Sequence, residues 1–286
     1  LWFPSRCLRP GVGSPMGGSA GRSVINALRR LRSLSSISER TVGEPRSGNG
    51  ASSLHLAWEL PQVPLVEVSA VLEVLQPPTV RRLYFWALQV TFAKERTMRG
   101  GAHLGLQWNP RFPGATAANW GGYAPADIGG LLKGSASSLP SARNDPNTRD
   151  FRWEPGRRYL LRVAPSPDTP ANVHSWRGTI TDLESGRDTR VRDLHTEGAY
   201  LAAPVVWTEA FARCEQPGIA ARWSDLRAVS ADGEGLRPLR VRVNYQSRID
   251  GGCDNTSVIP DELGLVQATT VQRQVPQGAL LPVPGG

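Results

Sequence analysis

The octapeptide G-A-H-L-G-L-Q-W, residues 101–108, alternates residue by residue. Ala102, Leu104, Leu106 and Trp108 point one way and His103, Gly105 and Gln107 the other, the pattern of a β-strand with one dry face and one polar face. The same period of two runs outward along the chain. Val66, Val68, Ala70, Leu72 and Val74 share an apolar face opposite Glu67, Ser69 and Glu73; after a break at Pro77-Pro78, Tyr84, Trp86, Leu88, Val90 and Phe92 repeat it. Further strand-like runs fall at 158–164, with Tyr159, Leu161 and Val163 inward, and at 176–183, 189–194, 204–214, 238–246 and 264–273. Turn signals such as Pro155-Gly156 and Glu184-Ser185-Gly186-Arg187 separate them. Many short strands and no convincing helix predict an all-β fold, a two-sheet antiparallel β-sandwich over residues 53–275. Residues 109–152 are the exception, a long stretch of Gly, Ala, Ser, Pro and Asn that reads as a functional or mobile loop.

The net charge of +8 suggests nucleic acid until it is divided along the chain. Residues 1–50 carry eight Arg against Glu39 and Glu44, which leaves a net of only +2 for the other 236 residues. A near-neutral domain without a clustered basic face argues against nucleic-acid binding. All but two of the 33 basic residues are Arg, Lys94 and Lys133 being the exceptions, which looks like coding bias rather than selection for phosphate contacts. No apolar run is long enough to span a membrane. Residues 1–52 read as a disordered basic tail, because Gly, Ser and Arg bury too little apolar area to offset their ordering entropy. Within it Ile25, Leu28, Leu31, Leu34 and Ile37 fall near helical spacing among Arg29, Arg30 and Arg32; this is a short frayed helix, a basic amphipathic anchor or a transit-type peptide. No charged segment followed by an apolar core marks a secretory signal, and the compartment stays open. Residues 276–286 read as a Pro/Gly-rich tail. Cys214 and Cys253 either form a disulfide closing a long loop or stand as two buried thiols.

Three phrases carry a resemblance: G-A-H-L-G-L-Q-W (101–108), F-R-W-E-P-G-R-R-Y-L-L-R-V (151–163), and W-R-G-T-I-T-D-L-E-S-G (176–186) followed by W-T-E-A-F-A-R-C (207–214). In this order they resemble uncharacterised bacterial domains of the concanavalin A-like lectin/glucanase jelly-roll type. The resemblance implies a jelly-roll sandwich, on which lectins, hydrolases and lyases all occur.

Each of these chemistries makes its own demand on residue type and spacing. Glycoside hydrolysis needs two carboxylates across one bond. The best local pair, Asp182 and Glu184, ends in a turn, and the E-x-D-x-x-E pattern of jelly-roll glucanases is absent. Glu209 stands out because Val205, Trp207, Glu209 and Phe211 share a strand face, where a lone carboxyl would have a raised pKa and serve as an acid. The alternatives are an ion pair with Arg, or an exposed Glu209 with Val206, Ala210 and Ala212 facing the core. A lyase would draw on His103, Gln107, Arg240, Arg242, Asn244, Tyr245 and Gln246, but Tyr245 alternates inward, away from the polar row. The four His, at 55, 103, 174 and 195, lack zinc spacing. Asn144, Asp145, Asn147 and Asp150, or Asp250, Asp254 and Asn255, could hold calcium or simply build turns; no other cofactor is indicated. The expectation is therefore a non-catalytic carbohydrate-binding or surface-interaction domain with a glycan as partner. His103, Gln107, Arg240, Arg242, Asn244 and Gln246 would form its floor, and Trp120 and Tyr123 from the long loop would top it. The alternative is a polysaccharide lyase or glycoside hydrolase on the same scaffold, and the bland reading of the polar row is a solvated sheet face. Trp58, Trp86, Trp153, Trp176 and Trp207 belong to the core on this reading.

Overall fold

The computed structural model describes residues 39–140 and 146–285, so the tail up to residue 38, with its helical spacing, and Asn144 and Asp145 lie outside the described residues. Sixteen strands succeed one another, with no α-helix among the described residues. They are β1 (Ser52–Trp58), β2 (Leu65–Gln76), β3 (Tyr84–Lys94), β4 (Thr97–Trp108), β5 (Thr116–Tyr123), β6 (Thr148–Asp150), β7 (Arg158–Pro165) and β8 (His174–Asp182). Then come β9 (Arg187–Thr196), β10 (Tyr200–Ala210), β11 (Ala220–Ser230), β12 (Gly235–Leu236), β13 (Arg240–Tyr245), β14 (Thr256–Pro260), β15 (Leu265–Thr269) and β16 (Leu280–Pro282). No helix among the described residues is long and apolar enough to cross a membrane.

Every pairing is antiparallel, and two layers result. One runs β16-β13-β1-β10-β3-β4-β5-β6; the other runs β14-β15-β11-β2-β7-β8-β9, with β12 folded back on β11. A single pair, Leu201 opposite Leu65, joins the layers edgewise. The expected antiparallel sandwich is thus present. Its interior holds the apolar alternates predicted from the sequence: Val68, Ala70, Leu72 and Val74 of β2; Tyr84, Trp86, Leu88, Val90 and Phe92 of β3; Ala102, Leu104 and Leu106 of β4; Tyr159, Leu161 and Val163 of β7. Trp58, Trp86, Trp153 and Trp176 join this core, whereas Trp207 packs on the opposite side of its sheet with Phe85, Ala87 and Val205.

A polar side chain at the dry interlayer links both sheets. Gln267 of β15 is fully buried; its Oε1 accepts from Thr208 Oγ1 of β10 (2.7 Å) and from Trp223 Nε1 of β11 (2.9 Å), and its Nε2 donates to the Leu54 carbonyl of β1 (2.8 Å). One amide therefore ties the layers together and satisfies three groups that would otherwise be stranded away from water.

Of the strands outside the period-two runs, β5 and β11 escape that reading for identifiable reasons. In β5 the sequence T-A-A-N-W-G-G-Y has low strand propensity, and it falls inside the stretch that composition marks as a loop. Small residues are required there: a Cβ on Gly121 would lie 2.9 Å from Asn147 Cβ, and one on Gly122 would lie 2.8 Å from Leu132 Cδ1. In β11 a bulge between Ser224 and Arg227, with Asp225 at φ 47°, shifts the inward set from Ala221 and Trp223 to Leu226 and Ala228. Trp120 accordingly sits in the core on β5, not on a loop, and its Nε1 donates to the Trp176 carbonyl (3.0 Å).

Both segments that composition assigns to tails are tied down where they are described. Leu280–Pro282 pairs with β13. Residues 39–51 form a strap: Arg40 and Asp254 exchange hydrogen bonds, Gly43 N donates to Glu215, Cys214 N donates to the Gly43 carbonyl, and Arg46 N donates to the Gly251 carbonyl. Cys214 and Cys253, in the two loops that receive the strap, are disulfide-bonded.

Gln267→Leu is expected to destabilise the fold by about 3 kcal/mol, since Thr208, Trp223 and Leu54 each lose a buried partner. Chemical denaturation reads this directly, and a loss below about 1 kcal/mol would show that the layers hold without the amide.

Candidate active site

The register that buries Leu104 and Leu106 lines up a second set of side chains on the outer face of the first sheet. Ser53 of β1, Glu209 of β10, Phe85 of β3 and Gln107 of β4 form one row. His55, Trp207, Ala87, Gly105 and Asn119 form the next, with Val205, Gln89 and His103 beyond it. The polar side of the 101–108 strand is not solvated: Ser53, Phe85, Gln107, Asn119 and Trp207 are all below 7% exposed. Aromatic rings account for part of this, with Phe85 and Trp207 edge to face at 4.9 Å, His103 at 5.4 Å from Phe85 and 5.8 Å from Trp207, and His55 at 6.0 Å from Trp207. Gln89 Oε1 accepts from Trp207 Nε1 (3.1 Å) and holds the indole in place.

Glu209 is the carboxyl of this face. Thr208 points inward to Gln267, so strand alternation turns Glu209 outward. Its Oε1 accepts from Ser53 Oγ (3.1 Å) and from Asn49 Nδ2 of the strap (3.1 Å), while its Oε2 has no partner among the described residues. No ion pair among the described residues includes it; Val206, Ala210 and Ala212 face the core. Burial raises the Glu209 pKa, and the donors from Ser53 and Asn49 offset this only in part. Across Phe85 lies Gln107, two strand spacings or about 10 Å away between Cα atoms. Asn109 Nδ2 donates to its Oε1 (2.9 Å), which orients the amide and leaves Nε2 without a partner among the described residues. Asn119 Nδ2 donates to Thr148 (2.8 Å), and Asn119 Oδ1 is buried with no hydrogen-bond partner among the described residues. Burial lowers both His55 and His103 to about 4, so both rings are neutral at pH 7.

The sequence-predicted residues are distributed as follows. His103 and Gln107 lie on this face, Tyr123 lies over Gly101 at its far end, and Gln246 lies at its margin, accepting from Ser53 N (3.1 Å) and donating to the Asp250 carbonyl (3.1 Å). Asn244 accepts from Gln277 (2.6 Å), Arg242 pairs with Glu59 (3.1 Å), and Arg240 is exposed beside β16. Trp120 faces the other way, into the core. Asp182 caps its turn and pairs with Arg157 (3.1 Å), as Glu184 does (3.4 Å), so those two carboxyls are not a catalytic couple. Asp254 serves Arg40 and Arg273, Asn255 binds the Cys214 carbonyl and Asp250 binds Ser247; no group of three or more His, Cys, Asp or Glu fit to hold a metal occurs among the described residues. Ser53, Asn49, Phe85, Gln89 and Asn119 join the site without having been expected there. Phe85 and Gln89 were detectable, as a ring and an amide on the polar side of an alternating strand.

No family model matches the chain, and no curated protein does. Solved structures that match include a Scytalido-glutamic peptidase with a peptide-based transition state analog, at 12% identity and a TM-score of 0.41. The same peptidase with a transition state analog inhibitor matches at 12% and 0.39, and SCP-B, a member of the Eqolisin family of peptidases in a complex with the tripeptide Ala-Ile-His, at 11% and 0.38. Each alignment covers 80% of this chain and 100% of the other. These neighbours are β-rich peptidases, not lectins or glycan-cleaving enzymes, so the concanavalin A-like lectin assignment is not supported and the carbohydrate-binding reading, with its lyase or glycosidase alternative, is overturned. The geometry agrees: Trp120 is turned into the core, and Arg242, Asn244 and Gln246 are engaged by their own neighbours.

Because burial favours the neutral carboxyl, folded Glu209 keeps its proton at pH values where the unfolded chain has released it. That stabilisation is complete below the ordinary glutamate range and is lost as pH rises through the raised value. Glu209→Gln cannot ionise, so its melting temperature is expected to gain on the wild type from pH 4 to pH 7; a pH-independent difference would rule out the buried acid. The two imidazoles act in the opposite sense. Their neutral forms favour folding by roughly 3 kcal/mol each above pH 6.5, and this is lost as pH falls towards 4. Nitrogen-15 shifts of His55 and His103 should accordingly stay those of neutral rings down to about pH 4.

Proposed function

We propose that the protein hydrolyses peptide bonds, with the Glu209 carboxyl as acid–base group and Gln107 as oxyanion donor. The observation that carries this reading is the state of Glu209: one oxygen is held by two donors, the other is unengaged, and no cation among the described residues neutralises the group. A buried carboxyl whose pKa lies above the ordinary range exchanges a proton more effectively in weakly acidic solution than a solvated one. On this reading Glu209 Oε2 takes a proton from water as the water oxygen attacks the carbonyl carbon. Gln107 Nε2 donates to the oxygen that gains charge. Glu209 then returns the proton to the amide nitrogen, the C–N bond breaks, and an acid and an amine leave. The rings of Phe85, Trp207 and His103 offer an apolar bed for side chains. Two of the matched structures are described by name as glutamic peptidase, and Glu209 is the group of this chain suited to such a role.

The test is a digest of a mixed peptide library between pH 3 and pH 7 in oxygen-18 water, read by mass spectrometry for labelled new carboxyl termini. Wild type is expected to cut, Glu209→Gln to lose all activity, and Gln107→Ala to lose about 10²- to 10³-fold in kcat. Undiminished cutting by Glu209→Gln would overturn the assignment.

A further inference from the structure

The strap that crosses to Glu209 belongs to the part of the chain with the least intrinsic structure, yet it is anchored three times before it reaches the site. Arg40 is clamped to Asp254, Gly43 is bracketed by Glu215 and Cys214, and Arg46 N reaches the Gly251 carbonyl. Gly251, at φ 92°, has no Cβ where one would stand 2.1 Å from Ser47 N, so the strap passes against bare backbone. The two anchoring loops are joined by the Cys214–Cys253 disulfide. Next to the site the strap closes a tight turn, in which Gly50 N donates to the Ser47 carbonyl (3.0 Å) and Ala51 N donates to Asn49 Oδ1 (3.1 Å). That last bond settles the Asn49 amide: its oxygen is occupied by Ala51, and its Nδ2 faces Glu209.

We propose that Asn49 is a positioning residue: the anchored strap delivers its Nδ2 to Glu209 Oε1 and so holds the carboxyl with Oε2 as its unengaged oxygen. As a statement about catalysis this rests on Glu209 being the acid–base group; as a statement about the state of Glu209 it stands alone. Ser53, beneath the carboxyl on β1, is a second donor to the same oxygen, and with one donor alone the carboxyl could rotate about it. The titratable neighbours on this face among the described residues are His55 of β1 and His103 of β4, neutral above about pH 4; the row positions on β3 and β10 beside Glu209 are Phe85 and Trp207.

The direction of one shift separates positioning from mere cover. If Asn49 donates to the ionised carboxyl, Asn49→Ala removes a bond that favours the ion, and the Glu209 titration moves to higher pH. If the strap only shields the site, the same change loosens it, water enters, and the titration moves to lower pH. The measurement is the carbon-13 carboxyl shift of Glu209 in the full-length, disulfide-intact protein, assigned by its loss in Glu209→Gln, for wild type, Asn49→Ala and Asn49→Ser. The expected result is an upward move for Asn49→Ala, with partial restoration in Asn49→Ser, which keeps a donor. A downward move, or none, overturns the proposal whether or not any peptide is cut. Where the library is cut, Asn49→Ala is expected to lose about tenfold in kcat with KM unchanged, the size of one charge-assisted bond. Absence of cutting by wild type would overturn the hydrolase reading and leave the titration result standing.

Discussion

The amide of Gln267 is the hinge of the whole arrangement. By receiving Thr208 and Trp223 and donating to Leu54, it fixes which side of β10 and of β1 faces the other sheet. A strand allows only two faces, so pinning Thr208 inward points Glu209 outward, and pinning Leu54 places Ser53 beneath it. A slip of one residue in β10 would bury the carboxyl in the interlayer, away from Ser53 and Asn49, and would expose Val206. The apolar faces make that slip costly, and the buried amide makes it costlier still.

Across β3, β4 and β5 and the adjoining parts of β1 and β10 the first sheet is consequently shielded from water on both sides, for different reasons. Its inner face is dry because Trp86, Leu104 and Leu106 exclude water by packing. Its outer face combines Phe85, Trp207 and two neutral imidazoles with amides whose hydrogen bonds are largely used within the protein. Placing one carboxyl among such groups raises its proton affinity chiefly by removing water, and the donors from Ser53 and Asn49 offset this only in part.

Much of the fold was legible because alternation is a one-dimensional signal. The strands that bury one face, β2, β3, β4, β7 and β13, were readable to within a few residues, and Tyr245 was correctly turned inward. Two of the strands that were missed break the assumption behind alternation: Gly121 and Gly122 of β5 are small because neighbours press on them, and the bulge in β11 changes the inward parity halfway; β1 went unread although Leu54, Leu56 and Trp58 alternate in it. The site was only partly visible. Glu209 was conspicuous as a carboxyl sharing a face with Val205 and Trp207, and Gln107 through the strict alternation of 101–108, but nothing in the sequence joins them, since Phe85 on a third strand lies between. The carbohydrate reading failed by joining the polar alternates of two strands into one open binding floor: Trp120 turns into the core, and Arg242, Asn244 and Gln246 are engaged by their own neighbours. Asn49 was out of reach because the composition around it is that of a tail, and only its anchors on distant loops make it part of the domain.

The strap also has a consequence for the life of the chain before it is folded. Asn49, Ser53, Phe85, Gln107 and Glu209 span 160 residues between Asn49 and Glu209, and they meet only when β1 has inserted between β10 and β13, well after the first hairpins can close. A chain still emerging or half assembled therefore has the carboxyl in water, at an ordinary proton affinity, with no amide opposite it. Whatever chemistry Glu209 performs therefore depends on contacts 160 residues apart in the chain, and no fragment that lacks β1 or the strap can assemble the site.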